Sequence, residues 1–239
     1  MRHVLAAIGS MAGSILGFVV AAALNVSASA QDLPRGFVDA ADVVPGLQVD
    51  MRYAGRDNFV GVVIDGYEKP RCILTRQAAD ALAKVQIELA SSGAGLKVLD
   101  CYRPTRAVAH FMRWGRDLKD VRTKGHHYPD LDKASLFREG YIASRSAHSR
   151  GSTVDLTLVD ILPGPDGKVP QREMGTPFDY FSPLSWPSNQ RVDDIARRNR
   201  QILADAMKKN GFIPYGKEWW HFTLANEPFP DSYFDFPVK

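Results

Sequence analysis

Between Thr153 and Val159 the chain runs through β-branched and apolar residues with a single carboxylate, Asp155, among them. Such a run predicts a strand. A strand alternates its side chains, so Val154, Leu156 and Leu158 share one face and Asp155, Thr157 and Val159 the other. The apolar trio calls for a layer of helices. Asp155 is then aimed at the opposite face, where a carboxylate can reach a ligand.

The rest of the chain supplies that layer. Thr75 reads as the N-cap of a helix bearing Ala78, Ala79, Leu82, Val85, Ile87, Leu89 and Ala90, stopped at Gly93. Leu96–Leu99 is a short strand, and Pro104 fits the first turn of a second helix with Val108, Phe111, Met112 and Leu118. Asp193 or Asp194 opens a third helix through Ile195, Ile202, Leu203, Ala206 and Met207, closed by Gly211. Strands near Phe212–Tyr215 and Trp219–Leu224 finish the core. Residues 31–70 read as loops and short strands, 119–145 as a polar surface excursion, and 161–190 as long loops over one face. The sum is α+β: one domain with a small, mostly antiparallel sheet and helices packed on one face.

The first thirty residues stand apart. Arg2 and His3 give a basic start, Val4 to Val26 is uncharged and mostly apolar, and Ala28-Ser29-Ala30 offers a signal-peptidase pattern. Residues 1–30 are therefore expected to be a cleaved signal peptide, and 31–239 the functional domain. A retained anchor is the alternative, because the apolar run nearly spans a bilayer. The expected destination is the periplasm, with no stable membrane association after cleavage. No Cys near Ala30 offers a lipid attachment point.

Removing 30 of the 239 residues leaves 209, enough for one domain with a proper core. The leader holds one basic residue and no acid, so the net charge falls from +3 to +2. With no basic run interleaved with aromatics, nucleic acid is excluded as an expected partner. Cys72 and Cys101 are the only cysteines, and an oxidising destination favours a disulfide over two buried thiols.

The chemistry sits in two segments. His148 lies upstream of Asp155, and Gly151 lets the chain bend so that both converge. Imidazole nitrogen and carboxylate oxygen suit zinc, although a His and an Asp alone are more often structural. In Glu218-Trp-Trp-His221, the Glu and the His serve one site only if Glu218 precedes the strand in a loop, which Gly216 permits. The other reading makes the Trp pair a core anchor with Glu218 and His221 as bystanders. Together, two His, one Asp and an unliganded Glu form the inventory of a hydrolytic zinc site with an open position.

These residues resemble the D-alanyl-D-alanine dipeptidases, zinc peptidases related to those of vancomycin resistance and to D,D-carboxypeptidases of the same fold. Ser146-x-His148 through Asp155-Leu-Thr-Leu, then Glu218-Trp-Trp-His221, carry the likeness. Asp50-Met-Arg-Tyr-Ala with Asp57-Asn-Phe-x-Gly61, Cys101-Tyr-Arg-Pro-Thr-Arg-Ala-Val and Met174-Gly-Thr-Pro-Phe-Asp179 extend it over about residues 36–225. The resemblance implies one Zn²⁺ per chain on His148, Asp155 and His221, with Glu218 as the acid/base. It also implies that Arg103 stabilises the oxyanion, a role that suits a permanently charged fork of donors. Ser146 and Asp179 would hold the amino group of a small D,D-dipeptide or peptidoglycan fragment. The plainer alternatives are a surface ion pair for Arg103 and a loop cap for Asp179.

Well-known members act in the cytoplasm, whereas a signal peptide here points to turnover of wall fragments outside the inner membrane. A carboxypeptidase acting on longer stem peptides, and a non-catalytic wall-binding module, are the competing functions. His126-His127 reads as a solvated loop pair, and His110 as a packing or surface residue.

Overall fold

The structure is a computed structural model and describes residues 33–239. The leader and its Ala28-Ser29-Ala30 site lie outside the described residues.

Strand β1 (Phe37–Asp39) is followed by a two-residue β2 (Gln48–Val49) and by β3 (Ile73–Thr75). Helix α1 (Arg76–Ala90), β4 (Ala94–Asp100) and α2 (Thr105–Arg116) come next, then the short α3 (Lys124–His127) and α4 (Lys133–Arg138). The chain continues through β5 (Thr153–Asp160), α5 (Asp194–Lys209), β6 (Phe212–Pro214) and β7 (His221–Leu224). Strands β1 and β3 form an antiparallel ribbon, while the main sheet runs β2-β4-β5-β7-β6. Within it only β2–β4 is parallel, so the sheet is mostly antiparallel as expected. Val154, Leu156 and Leu158 are fully buried and share one core with Leu82 and Val85 of α1 and Leu203 and Met207 of α5.

Local chemistry explains the helix starts. Thr75 accepts from the Ala78 amide and Asp193 from the Ala196 amide, each relieving an orphan donor of the first turn. Three apolar residues expected on buried faces point outward instead: Ile87 and Ile195 are each 66% exposed, and Leu118 lies beyond α2. In α1 the buried set Leu82, Val85, Gln86 and Leu89 follows the i, i+3, i+4, i+7 stripe, from which Ile87 is rotated by about 100°. Gln86 takes the inward place because its Oε1 accepts from the Leu96 amide at 2.8 Å, tying α1 to β4.

Residues 119–145 are more structured than their polarity suggests. They contain α3 and α4, and they bury Tyr128, Leu136 and Ile142. Lys133 reaches inward to donate to the carbonyls of Trp114 and Asp117 at 2.8 and 2.7 Å, capping the end of α2. Such short helices exist through tertiary contacts, which sequence periodicity does not register. Residues 161–190 are loops apart from an isolated bridge of Gln171 to Val159 and the 3-10 turn Pro183–Ser185.

Cys72 and Cys101 are joined as a disulfide, linking the end of the segment before β3 to the residue after β4. Beyond β7 the tail folds back along them. Phe236 stacks on Tyr102 at 4.0 Å, and Val238 is fully buried beside Tyr67.

Candidate metal centre and substrate cleft

Strand register brings the first two candidate ligands together. Asp155 of β5 pairs directly with His221 of β7. His148 comes from the 3-10 turn Ala147–Arg150, which Ser146 caps by accepting from the His148 amide at 3.3 Å. Gly151 ends that turn at φ 81, and a Cβ there would collide with the Phe37 ring. Only glycine fits both demands, so the bend between His148 and Asp155 is built as the sequence implied.

Ring nitrogens and carboxylate then converge. His148 Nδ1 lies 2.7 Å from the Cys101 carbonyl oxygen. A carbonyl only accepts, so Nδ1 carries the proton and Nε2 presents a lone pair. That Nε2 is 3.2 Å from Asp155 Oδ2 and 3.2 Å from His221 Nδ1. His221 Nδ1 is 3.0 Å from Asp155 Oδ1, yet Oδ1 is buried and accepts no hydrogen bond. Tetrahedral zinc with bonds near 2.1 Å spaces its ligands by about 3.4 Å. The separations, the imidazole tautomer and the orphaned oxygen all fit a divalent ion on these three residues.

Electrostatics agree with that fit. Burial opposes the charge on Asp155, but the two imidazoles outweigh it and hold the carboxyl well below its usual range. Burial likewise disfavours an imidazolium at His221, and the Asp155 carboxylate reverses this and pushes it up. Proton and metal thus compete for one position.

All seven candidate residues line one cleft of about 490 Å³. Glu218 sits in the turn ahead of β7, with Oε2 3.6 Å from His221 Nδ1. Burial pushes its carboxyl up to about 7. Trp219 and Trp220 are 2% and 1% exposed, so the Trp pair does anchor the core, and in doing so it holds Glu218 at the cleft.

Arg103 forms an ion pair, but not a surface one, since its side chain is only 13% exposed. Its Nε and Nη2 lie 2.9 and 2.8 Å from Asp100 Oδ2, and Nη2 is 3.7 Å from Asp155. The guanidinium is 5.1 Å from both the Tyr53 and Phe111 ring centroids. Ser146 Oγ lies 3.4 Å from Nη1.

Asp179 is 4% exposed and holds a left-handed backbone at φ 56, a strained state for a non-glycine residue. Its Oδ2 accepts from the Tyr53 hydroxyl at 2.8 Å. Burial raises its pKa well above the carboxylate range, with Asp155 adding to the shift. An ammonium brought beside it would restore the charge. His127 departs from the solvated reading: it is half-buried, and its Nδ1 meets the Asp179 carbonyl oxygen at 3.0 Å. His126 is exposed, and His110 is a part-buried acceptor for the Asp65 amide.

Two further residues shape the site: Asp100, which no motif singled out, and Tyr53, which lies in a stretch of the resemblance but had no role assigned to it. Asp100 is fully buried, grips Arg103 and accepts from the Tyr67 hydroxyl at 2.6 Å. Tyr53 faces Asp179 from the segment containing Asp50-Met-Arg-Tyr. Their places follow only from pairings across the fold.

Residues 34–239 match the family model described as D-ala-D-ala dipeptidase, Peptidase M15. The chain belongs to this M15 family. It is 41% identical over 204 residues to a D-alanyl-D-alanine dipeptidase of Enterococcus faecium, covering 85% of this chain and 98% of that one. A D-alanyl-D-alanine dipeptidase of Streptomyces coelicolor is 43% identical over 202 residues, covering 84% and 96%. M15 membership therefore spans the whole described domain. A solved VanY D,D-pentapeptidase in complex with zinc aligns over 65% of this chain and 74% of its own at TM-score 0.39 and 14% identity, too distant to add to the assignment.

Proposed function

We propose that this chain is a zinc-dependent dipeptidase that hydrolyses D-alanyl-D-alanine to two D-alanine molecules. One observation carries the reading: three potential ligand atoms, His148 Nε2, His221 Nδ1 and an Asp155 oxygen, lie 3.0–3.2 Å from one another beside a further carboxylate, Glu218. Relatives at about 40% identity that bear the dipeptidase name support the substrate.

A zinc ion on the three ligands supplies Lewis acidity and lowers the pKa of water to about 7. Glu218 takes the proton from the attacking water and passes it to the departing amine. Arg103, fixed by Asp100, faces the negative charge that develops on the scissile carbonyl oxygen. At the other end Asp179, supported by Tyr53 and with Ser146 nearby, receives the substrate ammonium. A buried carboxylate next to the reacting centre suits a free amino terminus and favours a dipeptide over a longer stem.

The leader pattern and the Cys72–Cys101 bond support export to the periplasm, where the enzyme would act on released wall fragments. The test is D-alanine release from D-alanyl-D-alanine by zinc-loaded protein, with and without a chelator, alongside the N-acetylated dipeptide. Cleavage of the free form, abolished by the chelator, is expected. Strong preference for the blocked peptide would move the assignment to a carboxypeptidase.

A further inference from the structure

The segment from Met174 to Trp186 carries Asp179, and its only regular structure is one 3-10 turn. A single buried cation holds both its ends. Arg200 of α5 is 4% exposed and donates from Nε to the Met174 carbonyl at 2.7 Å. Its Nη1 donates to the carbonyls of Leu184 and Trp186 at 3.0 and 3.2 Å. Burial lowers its pKa to about 10, which leaves it charged at neutral pH.

A guanidinium desolvated onto carbonyls is a costly way to pack a helix, and apolar replacements of buried charges are often neutral or stabilising. Stability alone therefore does not account for it. The same network reaches Glu218. The Thr176 hydroxyl lies 3.5 Å from Arg200 Nη2, 3.0 Å from Ser185 Oγ and 2.9 Å from Trp219 Nε1. The Trp219 amide donates to the Ser185 carbonyl at 3.0 Å, and Trp219 directly follows Glu218.

We infer that Arg200 is a positioning residue for recognition of the substrate ammonium: it sets Asp179 against Glu218, and so sets the preference for a free over a blocked amino terminus. The inference rests on the dipeptidase reading in one respect, that Asp179 faces the ammonium.

The full-length, zinc-loaded protein is compared with Arg200→Met, Arg200→Lys and Thr176→Val. Steady-state kinetics on D-alanyl-D-alanine and its N-acetylated form are read beside amide hydrogen exchange of residues 174–186 and zinc content. In Arg200→Met, KM for the free dipeptide rises about tenfold while kcat stays within about twofold. Exchange of the segment quickens, zinc content holds, and discrimination against the blocked peptide shrinks. Arg200→Lys recovers part of the loss, and Thr176→Val shifts the same way by less. Unchanged exchange and KM in Arg200→Met overturn the inference, as does a parallel fall in kcat, zinc content and thermal stability. Should that variant not fold, the other two decide by the same readings. If the wild type leaves the dipeptide intact, the dipeptidase reading fails, while exchange still decides whether Arg200 clamps the segment.

Discussion

Cys101 holds His148 through its backbone: its carbonyl oxygen accepts a hydrogen bond from His148 Nδ1 at 2.7 Å, while its sulfur is bonded to Cys72. The disulfide closes a loop with a sequence separation of 29, for which chain entropy gives about 3–4 kcal/mol. Replacing both cysteines with Ala is expected to lower unfolding free energy by that order, measured by denaturant titration. Zinc affinity should fall with it, as the support beneath His148 loosens. Equal zinc affinity in the two proteins would break the link.

Removing the metal should expose the crowding of its ligands. At a free zinc concentration of 100 times Kd, binding stabilises the folded state by about 2.7 kcal/mol, or roughly 5–10 °C in Tm for a domain of this size. Asp155→Asn keeps the shape but weakens the ligand and leaves the two imidazoles without their counter-charge. We expect it to lose zinc affinity by at least the ~10–100-fold typical of outer partners, read by titration with a competing chelator.

Glu218→Gln should retain zinc and lose activity by about 10²–10⁴. The base works deprotonated, so kcat/KM falls as pH drops through its pKa. Burial puts that value at about 7 without metal, and a neighbouring cation lowers it. The acidic limb should therefore lie between the ordinary carboxylate value, about 4.3, and 7. For stability the sign is opposite. The raised folded pKa contributes most below the unfolded value and is lost as pH rises through about 7 in metal-free protein. A kcat/KM profile flat down to pH 4 would remove Glu218 from the base role.

Asp179→Asn should raise KM for the free dipeptide by about 100-fold, and Tyr53→Phe by about tenfold, in line with hydrogen bonds to charged groups. Neither change should alter turnover of the N-acetylated dipeptide. Equal losses on both substrates would show that the two residues hold the cleft rather than the ammonium.

Export can be read directly. The mature protein recovered from the periplasm should begin at Gln31. A protein retaining residues 1–30 in the membrane fraction would instead favour the anchor.

Much of this molecule is written locally. The alternation around Asp155, the caps at Thr75 and Asp193 and the glycine bend at Gly151 depend on near neighbours, and each stands as the sequence implies. Of the seven candidate residues, His148, Asp155, Glu218 and His221 were legible from the chemistry of two short motifs, and Arg103, Ser146 and Asp179 only through the family resemblance. Other features were settled between distant segments. Register across β5 and β7 set His221 against Asp155, and Cys101 chose the His148 tautomer. Asp100 and Tyr53 found partners in the site, and Gln86 displaced Ile87 from the core. The folded-back tail and the Arg200 clamp are of this kind too. A hydrogen bond to a carbonyl far along the chain leaves no periodicity in either segment, so only packing could decide it.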